Sequence, residues 1–127
     1  MQVAQLQIKA GRFFWFEHPQ RAASWKLPEV QQVGSLPGVQ QVSFDQCMLG
    51  LRTKTSGVRM RKRTTIMTNL PQLADAFRGC MCSRDHEHQP MHGNEGGQTR
   101  SSWAQCYPPQ MVQVIAAACK SASESLA

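Results

Sequence analysis

No run of this sequence approaches the roughly 20 consecutive apolar residues that cross a bilayer, so it is read without a membrane-spanning helix. The opening residues, MQVAQLQIKAGR, hold no contiguous apolar core of the kind a secretory leader carries. Acid is scarce. Eight Asp and Glu stand against fourteen Lys and Arg, and none of the eight lies between Arg52 and Arg63. Charged residues make up 17% and apolar residues 41%, a balance that excludes a disordered polyelectrolyte and allows a real core. Cysteine is not absent, but its count of five is odd, which argues against a full disulfide framework. An intracellular setting is therefore expected, where such thiols are free or ligate a metal. Internal repeats are absent, and 127 residues suit one domain.

What is present begins with charge. The net charge is +6, and six of the fourteen basic residues fall in one stretch: Arg52, Lys54, Arg59, Arg61, Lys62 and Arg63. A polyanionic partner, DNA or RNA, is one reading and a solvated basic hairpin is the other. Arg59, Arg61 and Arg63 alternate, so on a strand they share a face, where they repel unless an anion or carboxylates sit nearby. Phosphate matches guanidinium forks. Thr64, Thr68 and Asn69 add hydrogen-bonding capacity.

The periodicity predicts a short helix over residues 1–10 with Val3, Leu6 and Ala10 as its stripe, ended by Gly11. It predicts a buried strand over Phe13–Phe16 stopped by Pro19, and a helix opened by Pro28 and ended by Gly34 or Gly38. Val39–Asp45 and Arg61–Thr68 read as two further strands, antiparallel to each other, with KTSG as turn material between them. Asn69 is expected to cap a helix over Pro71–Arg78. Residues 79–107 read as irregular. A last helix opens at Pro108 or Pro109 with Met111, Val114, Ile115 and Ala118 on its apolar face, and residues 120–127 read as a disordered tail. The tryptophans and Tyr107 are read as core, with base stacking by Trp25 and Trp103 as the alternative.

Two further clusters carry chemistry. Glu17 directly follows the aromatic strand, where open α/β sheets place ligand sites, so it is a candidate general acid or base-edge acceptor. The alternative is an acid that ends a strand against a backbone N–H. The stretch CMCSRDHEHQPMH holds three of the four histidines of the chain. Cys80, Cys82, His86, His88 and His92 offer five candidate ligands for one zinc ion, and pairs two apart in extended chain point the same way. The Cys-x-Cys spacing is tighter than that of ordinary zinc knuckles, so a polar loop of histidines beside two thiols stands as the other reading.

The runs GRFFWFEHPQRAASWKLPEV, FDQCMLGL, RKRTTIMTN, the Cys/His segment and WAQCYPPQMVQVIAAAC together resemble a domain of copia-type retroelement polyproteins. That domain in turn looks like the C-terminal half of a Rossmann-like methyltransferase of the DNA cytosine-C5 type. The resemblance implies that Glu17, in Glu17-His18-Pro19, stands where that family's glutamate meets the target base, with His18 in place of the usual Asn. It implies that Arg61 and Arg63 face the target nucleotide; Lys54, Arg59 and Lys62, from the basic cluster, are expected on phosphates. S-adenosylmethionine is implied for the parent domain, yet no glycine-rich cofactor loop and no Pro-Cys nucleophile occur here. The chain is accordingly expected to be inactive alone, and its missing N-terminal half is an expected partner.

The expectation for the fold is α/β: a partial Rossmann-like sheet ending in an antiparallel strand pair, a Cys/His-rich irregular segment and a C-terminal helix, in one domain over residues 1–119. Three functions stand open. The first is a truncated methyltransferase-like nucleic-acid-interacting domain, intracellular and, with a DNA partner, nuclear. The second is a zinc-stabilised nucleic-acid-binding or protein-interaction module. The third is a decayed fragment.

Overall fold

Three short strands, each rich in β-branched or aromatic residues, build one antiparallel sheet that helices cover on both faces. The computed structural model describes residues 1–126. Helix α1 (Gln2–Lys9) leads to β1 (Trp15–Pro19), then a 3-10 turn at Ala23–Lys26, α2 (Pro28–Gly34) and β2 (Gln40–Asp45). A second 3-10 turn (Gln46–Leu49) and a hairpin follow, then β3 (Arg63–Thr68), α3 (Pro71–Arg78), a two-residue hairpin of β4 (Asn94–Glu95) and β5 (Gln98–Thr99), α4 (Arg100–Trp103) and α5 (Pro109–Leu126). Among the described residues, no helix is long and apolar enough to cross a membrane.

β3 is the middle strand and runs antiparallel to both neighbours, in the order β1-β3-β2. Its sequence RTTIMT places Ile66 on one face and Met67 on the other, both fully buried. On the Ile66 face, Val42 and Phe44 of β2 pack with Leu73, Ala74 and Phe77 of α3 and with Met111, Ile115, Ala118 and Ala122 of α5. The Phe44 and Phe77 rings stack at 4.2 Å. On the Met67 face, Phe14 and Phe16 pack with Val30 and Val33 of α2 and Ala4 of α1. A third cluster, Leu51, Met60 and Ala104, sits under the hairpin.

The α/β class, the antiparallel β2–β3 pair and the C-terminal helix match expectation, and α3 has the expected bounds. Within the described residues the sheet has only antiparallel pairings, whereas a doubly wound sheet is built on parallel ones. Several local expectations need correction. β1 begins at Trp15 and includes Pro19, because Asn69 holds the preceding residues: its Oδ1 accepts from the Phe14 amide at 2.9 Å and its Nδ2 donates to Arg12 O at 3.0 Å. Asn69 therefore caps nothing, and the N-cap of α3 is Leu70 without a side-chain cap. In α1 the buried residue is Ala4, while Val3 and Leu6 of the expected stripe are 74% and 61% exposed. α5 runs through 120–126, the stretch expected to be disordered, since Ala122 continues the buried stripe; Ala127 lies outside the described residues. The segment read as irregular contains the β4–β5 hairpin, turned by Gly96 and Gly97 at φ +62° and +78°, angles that suit a primed two-residue turn.

Candidate metal centre and basic face

The end of β2 and the loop after α3 are tied together by backbone. The Asp45 amide donates to Cys80 O at 2.9 Å, and the Cys82 amide donates to Asp45 Oδ2 at 2.8 Å. Cys47 lies two residues beyond Asp45 in the 3-10 turn, which Gly50 ends at φ +90°, a conformation that favours glycine. After Cys82 the loop reverses at Arg84, the one described non-glycine residue at positive φ (62°), and the Arg84 amide points at Cys82 Sγ at 3.4 Å. The reversal brings His86 and His88 back onto the two sulfurs.

Cys47, Cys82, His86 and His88 thus offer two sulfurs and two imidazole nitrogens within 4.8 Å of one another. Cys82 Sγ is 3.6 Å from His86 Nε2 and 3.6 Å from His88 Nε2. Zinc bonds of about 2.3 Å to sulfur and about 2.05 Å to nitrogen put the tetrahedral S···N edge at roughly 3.6 Å. The two imidazole rings meet at 74° with centroids 4.6 Å apart, so both present Nε2 without stacking face to face. The donor set and its spacing fit a four-coordinate metal ion.

Protonation sets what a metal ion would have to overcome at Cys47 and what it would find ready at His88. Burial pushes the Cys47 thiol up to about 12, and the adjacent Cys82 sulfur and the Asp45 charge add to the effect. A cation among the four ligands supplies the opposite field and holds the thiolates. Burial and the nearby charges of His86 and Arg61 hold His88 below the usual imidazole range, in the neutral form that ligates. Asp85 Oδ1 lies 2.9 Å from His86 Nδ1, and Arg59 Nη1 lies 2.9 Å from the same nitrogen. Asp85 needs a proton on Nδ1 and Arg59 needs a lone pair there. A metal on Nε2 leaves the proton on Nδ1 and selects Asp85, the carboxylate partner that metal-bound histidines commonly have.

Of the five residues predicted as ligands, the fold brings together Cys82, His86 and His88. Cys80 points away, its Sγ set against Ala76 O, and His92 is exposed outside the cluster. The fourth ligand, Cys47, is 35 residues before Cys82, and no local spacing marks it.

The basic stretch is a hairpin, bridged at Arg52 and Arg59 and turned over residues 54–56. The strand expected over Arg61–Thr68 begins only at Arg63, so Arg59 and Arg61 precede it. The carboxylate that relieves the repulsion between Arg61 and Arg63 is Asp45, fully buried at the end of β2, while Arg59 meets His86 instead. Arg63 grips it with two hydrogen bonds of 3.0 Å, and Arg61 Nε stands 3.7 Å away. Burial opposes ionisation of Asp45, but these guanidiniums and the Cys82 amide outweigh it and hold its carboxyl below the usual range. Other predicted contacts are used internally. Arg52 Nη1 donates to Gly57 O, Lys62 Nζ to Ala104 O, and Lys54 Nζ reaches Gln98 Oε1 and lies over the Trp103 ring. Thr64 is fully buried, its hydroxyl held between Gln46 and Lys62 O, and Asn69 braces Arg12 and Phe14.

Glu17 does not follow a strand. It lies in the middle of β1 opposite Ile66, and its carboxylate accepts from the Tyr107 hydroxyl at 3.0 Å. Burial and the Glu17 charge push the Tyr107 hydroxyl up to about 12, so it stays a donor to Glu17. Trp25 and Trp103 likewise spend their Nε1 donors on Pro19 O and Arg52 O. The chain matches no protein-family model, no curated protein and no solved structure.

Proposed function

We propose that this chain is a zinc-stabilised nucleic-acid-binding module. One observation carries the reading: Asp45 joins the metal quartet to the basic face, accepting from the Cys82 amide while pairing with Arg63 and Arg61. A metal that orders the 80–88 loop also orders the carboxylate that sets the two arginines. The alternatives, a protein-interaction module and a methyltransferase-like ancestry acting through Glu17, draw less support, because Glu17 is paired with Tyr107 and the free charge of the surface is cationic. Nucleic acid is the polyanion that such a surface attracts at long range.

Labelled single- and double-stranded oligonucleotides, titrated with zinc-loaded and chelated protein across a salt series, test this. Binding weakens as salt rises, with a log–log slope that reports the phosphates contacted, and it weakens again on chelation. Affinity indifferent to both salt and metal would sink the proposal.

A further inference from the structure

At the turn after β1, beside the start of β3, an open cleft of about 400 Å³ is lined by Pro19, Gln20, Arg21, Arg61 and Arg63. Three of its five lining residues carry guanidiniums, and no acid lines it. The carboxylate paired with these arginines, Asp45, is buried and committed mainly to Arg63. Arg61 touches Asp45 through Nε at 3.7 Å, and its side chain is 36% exposed. Arg21 is exposed and makes no hydrogen bond or ion pair among the described residues. One carboxylate set against three guanidiniums leaves the cleft cationic.

The cleft is built, not incidental. The Gln20 amide donates to Arg63 O at 3.1 Å, and Pro19 O accepts from the Ala22 amide at 2.9 Å and from Trp25 Nε1 at 2.9 Å. These bonds lock the turn that carries Arg21 onto the strand that carries Arg63. Asp45 fixes the Arg63 fork, and Arg61 and Arg21 line the same cleft beside it. Guanidiniums gathered in one cleft suit a tetrahedral oxyanion, which takes two N–H donors from each fork. The volume falls in the range of small-molecule sites and exceeds what a bare oxyanion fills.

We infer that this cleft takes a phosphate group of a nucleotide unit, with Arg21 and Arg61 as its two ligating side chains and Arg63 as the positioned wall. Free nucleotide and nucleic-acid strand share that chemistry. The inference deepens the nucleic-acid reading and rests on it for the polymer only; the phosphate itself tests the cleft alone.

The test is an amide chemical-shift titration of the zinc-loaded full chain with three probes: inorganic phosphate, a nucleoside 5′-monophosphate, and an oligothymidylate without terminal phosphate. Variants R21A, R61A and R21K are compared with K120A, an exposed position on α5 outside the cleft. The expected result is shift changes at Gln20, Arg21 and Arg61, with binding weakened on the order of tenfold by R21A or R61A, less by R21K, and unchanged by K120A. Phosphate and monophosphate binding without the oligonucleotide would uphold the cleft, assign it to free nucleotide and overturn the nucleic-acid reading. Oligonucleotide binding that ignores R21A and R61A, with no cleft amide moved by phosphate, would overturn the cleft and leave the nucleic-acid reading standing. If no probe binds, both fall. R21K separates loss of the fork from loss of fold, since it keeps charge and bulk at an exposed position.

Discussion

The Cys82 amide donates to Asp45 Oδ2 at 2.8 Å, and this bond joins the loop that carries three of the four candidate metal-ligating residues to the strand end just before Cys47, the fourth. Asp45 is buried by the same contact, with Arg63 on its other side. Metal centre and cationic cleft therefore share one carboxylate.

Replacing Asp45 tests that sharing. Asp45→Asn keeps an acceptor for Cys82 but removes the charge that faces Arg63 and Arg61. The expected loss is about 2–3 kcal/mol of stability, tempered because Arg63 is partly exposed, together with roughly tenfold weaker metal binding. Denaturant unfolding reads the first quantity and competition with a chromophoric chelator reads the second. Metal affinity equal to that of the unmodified chain would break the proposed link.

Metal content separates the quartet from the sequence pattern. Cys47→Ser and Cys82→Ser should each lose stoichiometric zinc and the visible absorption of tetrahedral cobalt(II). Cys80→Ser and His92→Ala should keep both. Metal binds the folded chain better than the unfolded one, so zinc at roughly 1,000 times Kd should add about 4 kcal/mol, seen as a drop in Tm on chelation. A Cys47→Ser protein that still holds one zinc per chain would refute this ligand set.

Glu95 gives a pH-dependent contribution. Its carboxylate accepts from the Thr55 and Ser56 amides at 2.8 and 2.9 Å and from Arg100 Nη2 at 3.1 Å, which pins the basic hairpin to β4. These bonds, the Ser56 and Thr55 amides foremost, hold its carboxyl far below the ordinary value of 4.5. The folded form binds the proton more weakly than the unfolded form, so the contribution is complete above pH 4.5 and is lost as pH falls below it. The Tm gap between the unmodified chain and Glu95→Gln should be open at neutral pH and close in acid. Comparing the two proteins at each pH cancels the other ionisable groups, which are the same in both. A gap that does not change with pH would contradict the clamp.

Packing makes a contrast the sequence does not. Phe44→Ala removes a fully buried ring stacked on Phe77 and should cost about 3–5 kcal/mol. Leu6→Ala, on the exposed side of α1, should stay within about 0.5 kcal/mol. Equal losses at the two positions would mean that the α1 surface is covered in solution.

Much of the fold was legible locally. Pro71 and Gly79 bracket α3, Pro28 opens α2, and RTTIMT announces β3, because φ restriction and χ1 crowding act within a few residues. Asn69 misled for the same reason. Its side chain suits an N-cap, but Phe14 and Arg12, more than 50 residues earlier in the chain, take its hydrogen bonds. The run Phe13–Phe16 misled on burial as well as bounds: only Phe14 is buried while Phe13 and Trp15 are 36% and 43% exposed, because β1 is an edge strand whose register comes from pairing with β3.

The candidate site divides in the same way. The sequence by itself determined a Cys/His loop of metal-ligand chemistry and a basic stretch that needs anions, since both are matters of residue type and near spacing. The tertiary structure alone decided that Cys47 completes the quartet in place of Cys80 or His92, that Asp45 is the anion between the arginines, and that Arg21 joins Arg61 across a cleft. Each of those depends on bringing distant segments within a few ångströms. That closeness follows from burying Phe44, Ile66 and Phe77 in one core, a collective effect that no short window of sequence contains.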